Sequence, residues 1–184
     1  MAEIALAARR QKHAGRKALA GNVTLTAAAP ASRLVLRAPD LSLASLSRAL
    51  DVTLPTAPKS SAASDGLRRR ALWLGPDEWL VIDEDGADLA ALCAGAASLH
   101  SAVDVSHRNL AILVEGPGAA ACLNAGCPQD LSLRAFPVGA CSRTVLGKIE
   151  VVLLRTAETA FRVEVWRSFS DYAWDFLEEA ARDS

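Results

Sequence analysis

The densest apolar pattern in the chain lies between Val103 and Phe136. Leu110, Ile112, Leu113 and Val114 form a short, nearly continuous apolar run, the pattern of a strand buried on both faces. Gly116-Pro117 stops that run. Proline suits the first helical turn, where its missing N–H has no partner to lose, so the spacing predicts a helix over residues 117–125 with Ala119, Cys122 and Leu123 on one face. Gly126 then reads as a left-handed cap, and Pro128 as the punctuation that follows one.

The remaining segments read in the same way. Ser32 to Ala38 is a strand closed by Pro39-Asp40, with Asp40 placed to cap a helix that carries Leu43, Leu46 and Leu50 on one face. Residues 56–66 are small, polar and proline-interrupted, a surface loop. Arg68 to Asp83 predicts a hairpin turning at Gly75-Pro76-Asp77-Glu78, with Trp73 and Trp79 packed across it. Arg68, Arg69 and Arg70 read as solvated charges that keep an edge strand from pairing further. Gly86 to Ser98 has the helical spacing Leu89, Leu92, Cys93, Ala96, and Ser142 to Arg155 predicts a second hairpin turning at Gly147-Lys148.

Phe161, Val163 and Val165 alternate with Arg162, Glu164 and Trp166, a strand with one apolar face and one wet face. The last helix opens on Ser168-Phe169-Ser170-Asp171, a capping-box pattern, and its apolar stripe is Phe169, Tyr172, Ala173, Phe176, Leu177 and Ala180. Trp174 falls outside that stripe, beside the acidic face of Asp171, Asp175 and Glu178. The expected fold class is α+β, antiparallel sheets with packed helices, over residues 31–184 as one domain or as two small halves sharing a core. Residues 1–30 lack a convincing apolar period and read as a basic, poorly ordered N-terminal arm.

A hydrophobic content of 51% over 184 residues is ample for a packed interior. With 20 basic and 21 acidic residues, net charge -1, nothing calls for nucleic acid. The ends differ in sign: Arg9, Arg10, Lys12, Arg16 and Lys17 stand near the start, and Asp171, Asp175, Glu178, Glu179 and Asp183 near the finish. Solvated ends are the simpler expectation, mutual attraction the other. No apolar run reaches the roughly 20 residues of a membrane span, and Glu3 with a basic cluster stands where a signal peptide needs an apolar core, so a cytoplasmic protein is expected.

Cys93, Cys122, Cys127 and Cys141 include no C-x-x-C pair, and the expectation is free thiols without metal. Cys127, just past a helix end, is the thiol most open to reaction, although the negative end of a helix disfavours its thiolate. Asp104, Ser106 and His107 invite a nucleophile-and-base reading, but adjacent residues on a strand point to alternating faces and cannot meet side chain to side chain. No catalytic, cofactor-binding or metal-binding residue is therefore assigned. Trp166 and Trp174, out of phase with the core on consecutive elements, are what subunit interfaces collect; cover by a loop or by the N-terminal arm is the alternative. Trp166, Arg167 and Trp174 form the expected partner interface.

Four blocks carry a resemblance: LWLGPDEWLVI, DVSHRNLAILVEGPGA, GCPQDLSLRAFPVG and RSFSDYAWDFL. In this order they resemble the gamma subunit family of heterotetrameric sarcosine oxidase. That family is similar, more distantly, to the folate-binding domains of the glycine-cleavage aminomethyltransferase, which implies the same α+β fold. The resemblance implies a non-catalytic structural subunit of a flavin-dependent enzyme that oxidatively demethylates sarcosine to glycine, reduces oxygen to hydrogen peroxide and offers the one-carbon unit to tetrahydrofolate. It places FAD, FMN, NAD and tetrahydrofolate on the alpha and beta subunits, zinc on the delta subunit, and no cofactor on this chain. The alternative is a stand-alone folate-binding or aminomethyltransferase-like protein, to which the GCPQD segment bears a faint similarity through folate-dependent iron–sulfur maintenance proteins.

Overall fold

In the computed structural model, which describes residues 12–66 and 68–184, the chain builds two antiparallel sheets. It begins one sheet with β1 (Lys17–Ala20) and β2 (Val23–Ala27), leaves to build the whole of the other, and then returns. The inserted sheet contains β3 (Ser32–Arg37), β4 (Ser61–Ala63), β5 (Arg69–Gly75), β6 (Glu78–Asp83) and β7 (Ser101–Asp104), in the spatial order β4-β5-β6-β3-β7. On its return the chain adds β8 (Asn109–Glu115), β9 (Cys141–Leu146), β10 (Ile149–Ala157) and β11 (Ala160–Trp166), completing the order β1-β2-β8-β11-β10-β9. Thr24 pairs with Glu115 and Ala27 with Ile112, so a contact between distant parts of the sequence closes the first sheet around the second.

Each sheet carries helices on its outer face. α1 (Leu43–Leu50) and α2 (Leu89–Ala94) bury Leu46, Leu50, Leu89 and Cys93 against Leu34, Leu36, Trp79 and Val81 of the five-stranded sheet. α3 (Ala119–Asn124) and α4 (Ser170–Arg182) bury Cys122, Leu123, Trp174 and Leu177 against Ile112, Val114, Phe161, Val163 and Val165 of the six-stranded sheet. The inner faces of the sheets meet across Leu72, Leu80, Ile82, Val152 and Leu154. The result is four layers, helix–sheet–sheet–helix, with apolar packing in all three gaps.

Among these side chains runs a buried ionic bridge. Arg33 Nε of β3 donates to Glu164 Oε2 of β11 at 2.6 Å and Nη2 to Oε1 at 3.2 Å, while Arg162 Nε donates to Glu164 Oε1 at 2.8 Å. Arg162 Nη1 also donates to Glu84 at 2.5 Å. Burial alone would pull the Arg162 pKa down, but Glu164 and Glu84 together hold it above its ordinary value. A second bridge joins the sheets where Glu78 of β6 accepts from Arg143 of β9 and from Arg37 of β3.

Several expectations change here. The polar side of β11 is not wet: Arg162 and Glu164 are 5% and 2% exposed because the second sheet covers them. The arm expected over residues 1–30 supplies β1 and β2 from its described part, with Val23 and Leu25 fully buried; residues 1–11 lie outside the described residues. The 56–66 loop contributes β4 as an edge strand. Of the three arginines, Arg69 is buried and donates to Asp83 Oδ2 at 2.8 Å, because Asp83 faces it across the β5–β6 pairing. Gly126 is not a left-handed cap; a Cβ there would meet the Phe176 ring at 2.5 Å, so its smallness admits a close approach of α4. Gly116, before the helix, does have a positive φ, +124°, and its missing side chain leaves room for the Asn22 carbonyl.

Candidate functional site

The sequence leads to the junction of β11 and α4, where Trp166, Arg167 and Trp174 were expected to share a surface. The structure separates them. Trp166 ends β11 opposite Asn109 and is 36% exposed. Its ring stacks on Phe169, with centroids 5.8 Å apart, and the Arg108 guanidinium lies 4.0 Å from its centroid on the turn that precedes β8. Arg167, half-buried, donates its backbone N–H to the Arg108 carbonyl at 2.7 Å, which ties that turn to the start of α4. Phe169 was expected in the core stripe but is 41% exposed, so an aromatic pair with a cation laid over it makes this corner.

Trp174 is fully buried, contrary to its expected place on a partner-facing surface. The buried stripe of α4 is Ser170, Ala173, Trp174, Leu177 and Ala181, which turns the indole inward and leaves Phe169 and Tyr172 toward the flank. Its Nε1 donates to Glu178 at 2.9 Å. Residues just before β1 cover it: His13 stacks on the ring at 5.7 Å and Arg16 lies 4.5 Å over it. Attraction between the chain ends holds that cover, with Lys12 2.7 Å and His13 3.1 Å from Asp171, and Arg16 3.4 Å from both Asp175 and Glu178. Burial against the indole pulls the His13 pKa below its ordinary value, with Asp171 opposing.

The other candidate residues take structural places. Ser106 Oγ accepts from the Arg33 backbone N–H at 2.8 Å, its own N–H donates to Asp104 Oδ1 at 2.7 Å, and His107 lies exposed on the same turn. This is a turn that carries the chain from one sheet to the other, with the serine hydroxyl occupied by backbone. Cys127 is 4% exposed rather than open to reaction, because the loop after α3 folds back against β9. Burial pushes the Cys122 thiol up to about 11 and the Cys141 thiol up to about 12. Among the described residues no group of three or more His, Cys, Asp or Glu side chains could hold a metal ion, and no helix is long and apolar enough to cross a membrane.

Two clefts open at the ends of the inter-sheet gap. One, about 410 Å³, has Arg70, Arg162, Glu84 and Glu115 in its lining, charges of both signs. The other, about 220 Å³, adjoins the Trp166 corner and is lined by Lys12, Pro30, Arg33, His107, Leu110 and Arg167 among others, with no carboxylate in its lining among the described residues. Ser106 and His107 both line the second cleft, but the serine hydroxyl is held by the Arg33 backbone N–H.

Two antiparallel sheets faced inside by each other and outside by helices define an α+β class that this chain shares with aminomethyltransferases. The glycine cleavage system aminomethyltransferase T from Bartonella henselae has the same fold over 89% of this chain and 50% of that one, with a TM-score of 0.63 at 17% identity. Within that class the chain belongs to the sarcosine oxidase gamma subunit family, whose pattern matches residues 35–183. It is 35% identical over 183 residues to sarcosine oxidase subunit gamma of Corynebacterium sp. (strain U-96), covering 97% of this chain and 87% of that one. The corresponding subunit of Arthrobacter sp. is 34% identical over 166 residues, 88% of this chain and 81% of the relative. The heterotetrameric sarcosine oxidase from Corynebacterium sp. U-96, solved with pyrrole 2-carboxylate, contains a chain that superposes with a TM-score of 0.83 at 34% identity, covering 90% of this chain and 87% of that one.

Proposed function

We propose that this chain is the non-catalytic gamma subunit of a heterotetrameric, flavin-dependent sarcosine oxidase that oxidatively demethylates sarcosine to glycine. The observation that carries the reading is the match to the gamma subunit family over residues 35–183, on a fold whose candidate serine, histidine and cysteines are engaged in turns and core. On this reading FAD, FMN, NAD and tetrahydrofolate belong to partner subunits, alpha, beta and delta chains complete the assembly, and the complex works in the cytoplasm. The surface offered to a partner is the corner of Trp166 and Arg167, extended by Arg108 and Phe169; Trp174, buried under His13 and Arg16, is not part of it. Aromatic rings and arginines in a compact exposed group are the residue types that carry interface energy.

The test is reconstitution. Co-expressed with alpha, beta and delta subunits of sarcosine oxidase, the chain should co-purify at one copy per complex, and sarcosine-dependent oxygen consumption should appear only with the complex. Oxygen consumption by the isolated chain, or a chain that elutes alone in the presence of its partners, would contradict the reading.

A further inference from the structure

We infer that the Trp166 corner and the adjoining 220 Å³ cleft form one docking surface for an acidic segment of a partner subunit, a carboxylate flanked by an apolar side chain. The inference rests on the gamma-subunit reading and adds the chemistry of what docks. Charge is the first ground. Lys12, Arg33 and Arg167 line the cleft, the last engaged in an interaction of its own, Arg108 stands on the turn beside it, and among the described residues the lining includes no Asp or Glu. Lys12 is matched by Asp171 at 2.7 Å and Arg33 by Glu164 at 2.6 Å. Arg108, exposed on the turn before β8, has no carboxylate partner among the described residues. Its guanidinium carbon lies 4.0 Å from the Trp166 ring centroid, and a guanidinium on an exposed turn is a planar donor that can receive a carboxylate through two parallel hydrogen bonds.

Shape is the second ground. Ala28, Ala29, Pro30, Ala31 and Leu110 give the cleft an apolar lining, and Trp166 and Phe169 extend it outward as stacked rings. Stacking fixes both rings and the arginine before any partner arrives, which lowers the entropy lost on docking. An acidic residue beside an apolar one fits both parts: the carboxylate meets Arg108, and the apolar side chain enters the cleft.

The experiment uses the full chain and the purified complex of the other three subunits, with affinity measured by fluorescence anisotropy at several salt concentrations. Arg108→Glu should weaken assembly about tenfold or more and flatten the salt dependence, and Trp166→Ala should weaken it by a similar factor without changing the salt slope. Arg48→Glu, an exposed charge on α1, is the control and should change neither. Circular dichroism melts distinguish lost folding from lost docking. If the unaltered chain assembles and both variants assemble as tightly, the docking proposal is overturned while the subunit reading stands. A concentration-dependent dimer abolished by Arg108→Glu, with assembly unchanged, would identify a second copy of this chain as the occupant and overturn it too. If the unaltered chain fails to assemble, both fall.

Discussion

Glu164→Gln should be among the most damaging single-atom changes available to this protein. The Glu164 side chain is 1% exposed and accepts three hydrogen bonds from Arg33 and Arg162, whose side chains are 3% and 6% exposed. The amide keeps the volume, removes the charge and turns an N–H group toward guanidinium donors. Arg162 keeps Glu84, but among the described residues the Arg33 guanidinium is left with the Ala31 carbonyl as its acceptor, at 3.0 Å. Breaking a buried pair in this way costs about 3–5 kcal/mol, a large part of the roughly 5–15 kcal/mol that a domain has. Urea unfolding at pH 7 followed by tryptophan fluorescence should show the midpoint falling at constant slope. The combined Arg33→Met, Arg162→Leu, Glu164→Leu variant should lie within about 1 kcal/mol of the unaltered protein, because apolar groups replace all three charges and half-exposed Glu84 stays hydrated. A Glu164→Gln loss below about 0.5 kcal/mol would refute the idea that this bridge holds the sheets in register.

Trp174→Ala empties a fully buried site and should cost about 3–5 kcal/mol, with hydrogen exchange rising first in Lys17–Ala20, since His13 and Arg16 lose the ring they pack on. His13 has its pKa pulled below 6.5 by burial, so folding favours the neutral ring: the stabilisation is present above 6.5 and lost as pH falls through the folded value. Melts between about pH 7 and 5 should therefore fall more steeply for the unaltered chain than for His13→Gln. All four cysteines are buried, so a disulfide reagent at pH 8 should label none in the native chain and four after denaturation; fast native labelling of Cys127 would contradict its burial.

Much of the architecture was legible because periodicity reports which side of an element is covered. The β5–β6 and β9–β10 hairpins turn where Gly75-Pro76 and Gly147 said they would, and Trp73 faces Trp79 across the first. What alternation does not report is what covers the polar side. Arg162 and Glu164 read as wet because charged side chains usually are, and only the arrival of Arg33 from another sheet makes their burial affordable. α4 was read in the wrong phase for a similar reason: Phe169 and Tyr172 drew the stripe toward themselves, whereas the larger indole of Trp174 takes the interior once the basic segment before β1 caps it. That segment lacked an apolar period because its contribution is a cation–π contact, a stacked ring and the ion pairs of Lys12 and Arg16. Arg108 went unassigned, since its position over Trp166 depends on the register that sets Asn109 opposite the indole.

The most direct measurement is native mass spectrometry of the material recovered when this chain is tagged and co-expressed with the alpha, beta and delta subunits proposed as its partners. The expected spectrum is a single heterotetramer carrying one copy of this 19.4 kDa chain, with every flavin mass retained by the other chains when the complex is dissociated. A tagged chain recovered free, or one that leaves the complex with a flavin attached, would contradict it.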